Sequence, residues 1–72
     1  MSKYYNVEVK EDGTIIWKNQ NDQIHREDGP AIIYPDGGEY WYQNGKFHRE
    51  DGPAIIYPNG YKFWYKNGIP IK

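Results

Sequence analysis

The sequence predicts an all-β protein, an antiparallel meander of stacked β-hairpins built from 23-residue repeats. The first observation is an internal duplication, because residues 25–35 and residues 48–58 both read HREDGPAIIYP. Aligned over 23 residues each, the two units agree at 16 positions. The second observation is an Asn-Gly pair in each unit, which is the strongest short signal for a hairpin turn. A fixed period of this length indicates a repeat architecture.

The repeats together form one predicted domain, residues 1–72. The first unit is degenerate, but it keeps an Asp12-Gly13 turn, Trp17, and a match to the Asn-Gly region that carries one inserted residue. A degenerate terminal repeat is typical of a stack that needs a cap. The predicted boundaries of the four segments, the last of which is a short tail, are 1–24, 25–47, 48–70 and 71–72.

Turn residues separate the predicted strands. In Asn44-Gly45 and Asn67-Gly68 both residues tolerate the positive φ that a two-residue hairpin turn requires. Each Pro-Asp-Gly or Pro-Asn-Gly marks another turn. The segments between the turns are rich in β-branched and aromatic residues, which favour strands. We predict six main strands and two short connecting strands: Tyr4–Lys10, Thr14–Lys18, Ala31–Tyr34, Glu39–Gln43, Ala54–Tyr57, Tyr61–Lys66, Lys46–His48 and Ile69–Ile71.

Composition narrows the class of protein. The chain has 72 residues, which suit one small domain. It has no cysteine, so no disulfide or thiolate metal site is expected, and its formal charge of −1 gives no general attraction to nucleic acid. Mean hydropathy is low at −1.04, yet aromatic residues make up 18%, which favours a folded chain over a disordered one. We expect a cytoplasmic protein without a signal peptide or membrane segment.

The repeat resembles a known family. The pattern is similar to the MORN repeat, which has the same period and forms a single meandering sheet of stacked hairpins. The resemblance implies a role in protein binding or self-association. The HREDGPA variant is similar to divergent MORN-like repeats of small bacteriophage and large-virus proteins. The residues that carry the resemblance are Trp41, Asn44, Gly45, His48, Gly52, Tyr57, Pro58, Asn59, Gly60 and Trp64.

The HREDGP segment could carry chemistry. Each copy brings one histidine, one arginine and two carboxylates, which could form an acid–base set, a metal site or an anion site. Repetition favours a structural role instead, because a ladder contact is needed in every repeat whereas a catalytic site is not. We therefore predict no catalytic residue, no metal ligand and no cofactor. As candidates for ligand or partner contact we retain His25, Arg26, His48 and Arg49.

Consecutive aromatic residues form a second candidate site. Because side chains alternate between the two faces of a strand, Trp41 and Trp64 should lie in register on one face with Trp17 nearby. The opposite face should be lined by Tyr40, Tyr42, Phe63 and Tyr65. A single sheet leaves one apolar face open to water, and a large exposed apolar patch is typical of an interaction site.

These features predict a non-catalytic binding module. The resemblance implies a small phage protein, located in the host cytoplasm, that binds and modulates a host protein such as a defence factor. The alternative is a protein that sequesters a small nucleotide, with the His–Arg pairs on phosphate and an aromatic groove on the base. Nucleic-acid binding ranks last because of the net charge. We also predict a homodimer, since so short a meander cannot bury all its aromatic residues.

Overall fold

The computed structural model describes residues 6–71 and contains only short strands. The helix-free prediction is confirmed for residues 6–71, and this part of the chain accordingly has no helix able to cross a membrane. All strand pairs are antiparallel. The strands are β1 (Asn6–Val9), β2 (Ile15–Lys18), β3 (Ile32–Ile33), β4 (Glu39–Tyr40), β5 (Tyr42–Gln43), β6 (Lys46–Phe47), β7 (Ile55–Ile56), β8 (Lys62–Phe63), β9 (Tyr65–Lys66) and β10 (Ile69–Pro70).

Six strands form one sheet, and the other four form two separate hairpins. The sheet order is β1-β2-β3-β4-β7-β8, so chain neighbours pair except where the β5–β6 hairpin leaves the sheet. The β9–β10 hairpin leaves it in the same way after β8. Each full repeat therefore contributes a strand pair to the sheet and a hairpin beside it, whereas the first repeat has a single bridge between Lys18 and Ile24 in place of the hairpin. The all-β meander is confirmed.

Two predicted strands are broken at their tryptophan. The prediction of continuous strands over Glu39–Gln43 and Tyr61–Lys66 is wrong, because Trp41 and Trp64 interrupt them. At Trp41 the amide donates to the Ala54 carbonyl in the sheet at 2.7 Å, while the Trp41 carbonyl accepts from the His48 amide at 3.0 Å. The chain thus leaves the sheet at this residue and enters the hairpin.

The other strands are shorter than predicted. The stretches Ala31–Tyr34 and Ala54–Tyr57 each keep two strand residues, because the following turn begins early. The Tyr34 amide donates to the Gly38 carbonyl at 3.0 Å, and the Gly37 amide donates to the Tyr34 carbonyl at 3.0 Å. Tyr34 therefore already belongs to the turn. Of the predicted first strand, residues 4 and 5 lie outside the described residues.

The hairpin turns have the predicted geometry. Asn44 and Gly45 have φ values of 52° and 80°, as a two-residue turn of this type demands. The first repeat replaces this two-residue turn by a turn of three residues, 20–22, between Asn19 and Gln23, whose backbones bond at 2.9 Å. At that turn the Asn19 side-chain oxygen accepts from the amides of Asn21 and Gln23, both at 3.0 Å. These hydrogen bonds of the Asn19 side chain close the chain reversal that the Asn-Gly turn makes in the full repeats.

The strand register assigns the side chains to two faces. Residues directly opposite one another share a face, which places one row across five strands: Ile16, Ile32, Tyr40, Ile55 and Phe63. The face that carries this row is called the aromatic face. Trp17 and Trp41 follow Ile16 and Tyr40 in the chain and therefore lie on the opposite face, called the tryptophan face.

The core is small and repeats with the sequence. Ala31 and Ala54 are fully buried, and Ile32 and Ile55 are 6% exposed. Each pair consists of equivalent positions in the two full repeats, 23 residues apart. So thin a core makes the polar contacts between loops and strands important for stability.

Candidate functional site

Seven aromatic rings form a continuous chain of contacts on the aromatic face. Phe47 lies at a branch point, with ring centroids 4.5 Å from Tyr42, 5.2 Å from Tyr65 and 6.0 Å from Tyr40. The contacts are tilted or edge-on, as aromatic pairs prefer. The full set is Tyr34, Tyr40, Tyr42, Phe47, Tyr57, Phe63 and Tyr65.

The rings are packed against one another but remain open to solvent. Phe63 is 41% exposed and Tyr34 is 37% exposed, whereas Tyr40 and Tyr42 are half-buried. Burial raises the pKa of Tyr40, and the neighbouring Tyr57 raises it further. Burial also raises the pKa of Tyr42, with a smaller effect from Tyr34. These phenols therefore stay neutral at physiological pH, and the surface offers flat apolar area together with hydroxyl groups that can donate and accept.

The structure brings the four predicted aromatic residues onto one surface. Tyr40, Tyr42 and Tyr65 each contact Phe47, and Phe63 joins through Tyr57. Sequence reasoning missed Tyr34, Phe47 and Tyr57. Tyr34 and Tyr57 could have been found by alternation, because each lies two residues beyond a buried isoleucine. Phe47 is placed by the hairpin register opposite Tyr42.

The two histidines hold the hairpins that follow them. The Nδ1 atom of His25 accepts from the Asn44 amide at 3.0 Å, and Nδ1 of His48 accepts from the Asn67 amide at 3.0 Å. An Nδ1 that accepts carries no proton, so the neutral ring has its proton on Nε2. Nε2 then faces a carboxylate, Glu50 for His48 at 2.7 Å. Both histidine residues are only 7% exposed.

The two arginines stack on tryptophans of the preceding repeat. The guanidinium carbon of Arg26 lies 4.0 Å from the ring centroid of Trp17, and that of Arg49 lies 3.7 Å from that of Trp41. Arg49 also donates from Nη1 to the Pro53 carbonyl at 3.1 Å. Its Nε donates to Asp51 at 3.2 Å. Arg26 makes the equivalent bonds within its own loop.

Glycine in the HREDGP loop is required by this arrangement. A Cβ on Gly29 would lie 2.7 Å from the guanidinium carbon of Arg26, and one on Gly52 would lie 2.9 Å from that of Arg49. Neither glycine has a positive φ, so the requirement is close approach and not backbone conformation. Each guanidinium is therefore held between an indole ring and a glycine.

The carboxylates of the loop are exposed. Glu50 accepts from His48, and this hydrogen bond, with Lys66 nearby at 3.6 Å, lowers the pKa of Glu50. The Asp51 side chain is 86% exposed. Among residues 6–71 no three histidine, cysteine, aspartate or glutamate side chains come together in a group that could hold a metal ion.

The His–Arg pairs and the tyrosines do not form one site. Arg26 and Arg49 lie over tryptophans on the tryptophan face, whereas Tyr40 belongs to the opposite face. Arginine and tyrosine side chains therefore do not lie side by side, and the aromatic neighbours of the two arginines are Trp17 and Trp41. No pocket was found among residues 6–71 either.

Comparison with protein-family models, with curated proteins and with solved structures finds no match for this chain. The functional argument therefore rests on the geometry of its own residues.

Proposed function

We propose that this chain is a non-catalytic protein-binding module and that the aromatic face is its binding surface. The observation that carries the proposal is the continuous chain of seven aromatic rings, of which two are exposed and the other five are only part-buried. Tyrosine and phenylalanine are enriched at the centres of protein interfaces, where they bury large area at low entropic cost.

The polar residues of the HREDGP segment support the proposal because their side chains already contact other groups of the same chain. His48 and Arg49 direct their side chains to a hairpin amide, a loop carbonyl and an indole ring of the same chain. A ligand that took these groups would have to break contacts that hold the hairpin, the HREDGP loop and, through Trp41, the preceding repeat in place. Tyr34 and Phe63 of the aromatic face, by contrast, are exposed.

The partner in this proposal is a host protein, and the chain is a phage-encoded MORN-like repeat protein. This part rests on the HREDGPA resemblance. A continuous aromatic surface fits it, because aromatic side chains are enriched where one protein surface packs against another. Binding without chemistry would modulate the partner by covering one of its surfaces.

The experiment compares capture of partners from host-cell lysate by the wild-type chain and by variants. Tyr34→Ala and Tyr65→Ala each remove one ring from the aromatic face. Ile69→Ala is the matched control, because Ile69 is 64% exposed and pairs with Lys66, which places it on the other face of its hairpin from Tyr65. Affinity for the captured protein should fall at least about tenfold in the tyrosine variants, as at an interface hot spot.

The control should bind like the wild type. Equal loss in all three variants would show that folding, and not the surface, was measured. Unchanged affinity in both tyrosine variants would remove the aromatic face as the site. Retention of a small nucleotide by the purified chain, detected by native mass spectrometry, would favour the alternative function instead.

A further inference from the structure

The two edges of the six-stranded sheet differ in chemistry. β1 lies at one end of the sheet and β8 at the other. Among residues 6–71 no strand pairs with the outer side of either one. An edge strand presents unpaired backbone groups and can accept another strand unless the sequence prevents it.

The β1 edge is protected by a charge. Glu8 pairs with Ile16, which places it on the aromatic face in the row of Ile32 and Ile55. Both isoleucines are 6% exposed, so a strand added beyond β1 would begin to bury a carboxylate at this position. Glu8 instead lies 3.4 Å from Lys10 and 3.7 Å from Lys18, in water.

The β8 edge has no such protection on the aromatic face. Phe63 takes the place of Tyr40 one repeat later, and Tyr40 is covered by β7 through its pairing with Ile55. Phe63 lacks a corresponding neighbour within residues 6–71 and is 41% exposed. The β8 edge therefore offers the surface that β4 uses to bind the next repeat.

We propose that two copies of this chain pair through their β8 edges across a two-fold axis and continue the sheet from one copy into the other. A head-to-tail arrangement, in which β1 of a second copy took the place of β7, would put Glu8 opposite Phe63 on the aromatic face. That contact sets a carboxylate against an apolar ring, so an open filament is disfavoured. The two-fold contact uses only β8 and closes after two copies.

The side chains of β8 select one register for this pair. In an antiparallel pair about a two-fold axis, either Phe63 faces Phe63 of the other copy or Lys62 faces Lys62. The second arrangement sets like charges directly opposite, which is destabilising. The first joins two aromatic rings on the aromatic face. The aromatic faces of the two copies then form one continuous surface.

Single-cysteine variants test the pairing and its register together, because the chain has no cysteine of its own. Facing residues in an antiparallel pair have Cα atoms about 4.5–5.5 Å apart, which a disulfide can span. Phe63→Cys should therefore form a disulfide-linked dimer in a glutathione redox buffer. In this register the two Lys62 positions are offset by two residues, about 7 Å along the strand, and lie too far apart to be bridged. Lys62→Cys should stay monomeric.

Three results would overturn the proposal: preferential cross-linking of Lys62→Cys, equal cross-linking of both variants, or none in either. A second measurement does not depend on cysteine. Phe63→Lys and Phe63→Glu should each sediment as a monomer of the folded chain, since each sets like charges opposite, and their equimolar mixture should sediment at twice the chain mass of 8.6 kDa. A mixture that remains monomeric would also refute it. The Tyr34 and Tyr65 variants leave β8 intact, so failure of partner binding and failure of this pairing are separable.

Discussion

Replacement of Arg49 by alanine should destabilise the fold by about 2 kcal/mol. The Nη1 bond to the Pro53 carbonyl at 3.1 Å is a charge-assisted bond at a side chain only 21% exposed, and it contributes about 1 kcal/mol. The stacking on Trp41 at 3.7 Å adds about 0.5–1 kcal/mol. The pair with the exposed Asp51 adds at most a few tenths of a kcal/mol. In a domain of this size the loss lowers Tm by roughly 8–16 °C.

Urea denaturation followed by tryptophan fluorescence measures this loss. Arg49→Lys is the matched control. Lysine keeps the positive charge but lacks the planar guanidinium that stacks on the indole while it donates to the carbonyl, so the stability of this variant should be intermediate. A loss below about 0.5 kcal/mol for Arg49→Ala, with Arg49→Lys equal to the wild type, would refute the reasoning. The arginine would then be available for a ligand.

Two further predictions concern the same loop and the aromatic face. Gly52→Ala should destabilise the wild type, because the new Cβ would lie 2.9 Å from the Arg49 guanidinium carbon, but it should be neutral or stabilising by about 0.4–1 kcal/mol in an Arg49→Ala background. A cost that persists in that background, measured by urea denaturation, would contradict this steric explanation. Burial raises the pKa of Tyr40 and of Tyr42 above the ordinary value of 10.0, so the folded state holds these protons more tightly than the unfolded state does. Stability is then complete below that value and is lost as the pH rises through the folded pKa. A spectrophotometric titration should show a late-ionising component that Tyr40→Phe and Tyr42→Phe each reduce; a titration curve whose late part neither substitution changes would be the contrary result.

Much of the fold follows from local signals in the sequence. The Asn44-Gly45 pair adopts positive φ at both residues, which is a property of the dipeptide and its turn. The placement of Tyr40 and Trp41 on opposite faces follows from strand alternation alone.

The strand breaks could not be predicted in this way. Trp41 has strong strand propensity, yet its amide bonds to Ala54 and its carbonyl accepts from His48, which belong to the following repeat. Such bonds depend on how the repeats stack and leave no trace in the local sequence. The role of Gly52 was hidden for the same reason, since its constraint is the side chain of Arg49 folded over it.

Only part of the candidate site could be predicted from the sequence. HREDGP was the most conspicuous motif because its titratable groups occur twice, but those groups are engaged inside the chain. The aromatic residues were found by composition, and their assembly into one surface needed the hairpin register that puts Phe47 beside Tyr42. The repetition in the sequence therefore pointed more clearly to residues that make contacts inside the chain than to the residues of the aromatic face.

The two full repeats are identical throughout the HREDGP loop. Arg49 of this loop holds its repeat to the preceding one through Trp41, while His48 and Gly52 make contacts within their own repeat. Of the exposed large apolar residues, three occupy positions where the repeats differ: Tyr61, Phe63 and Ile69. Substitution there leaves the ladder of contacts intact, because none of these three side chains takes part in it. The residues shared by the two full repeats thus make the contacts of the HREDGP loop, while the repeat at 48–70 presents exposed apolar side chains that the repeat at 25–47 lacks at the same positions.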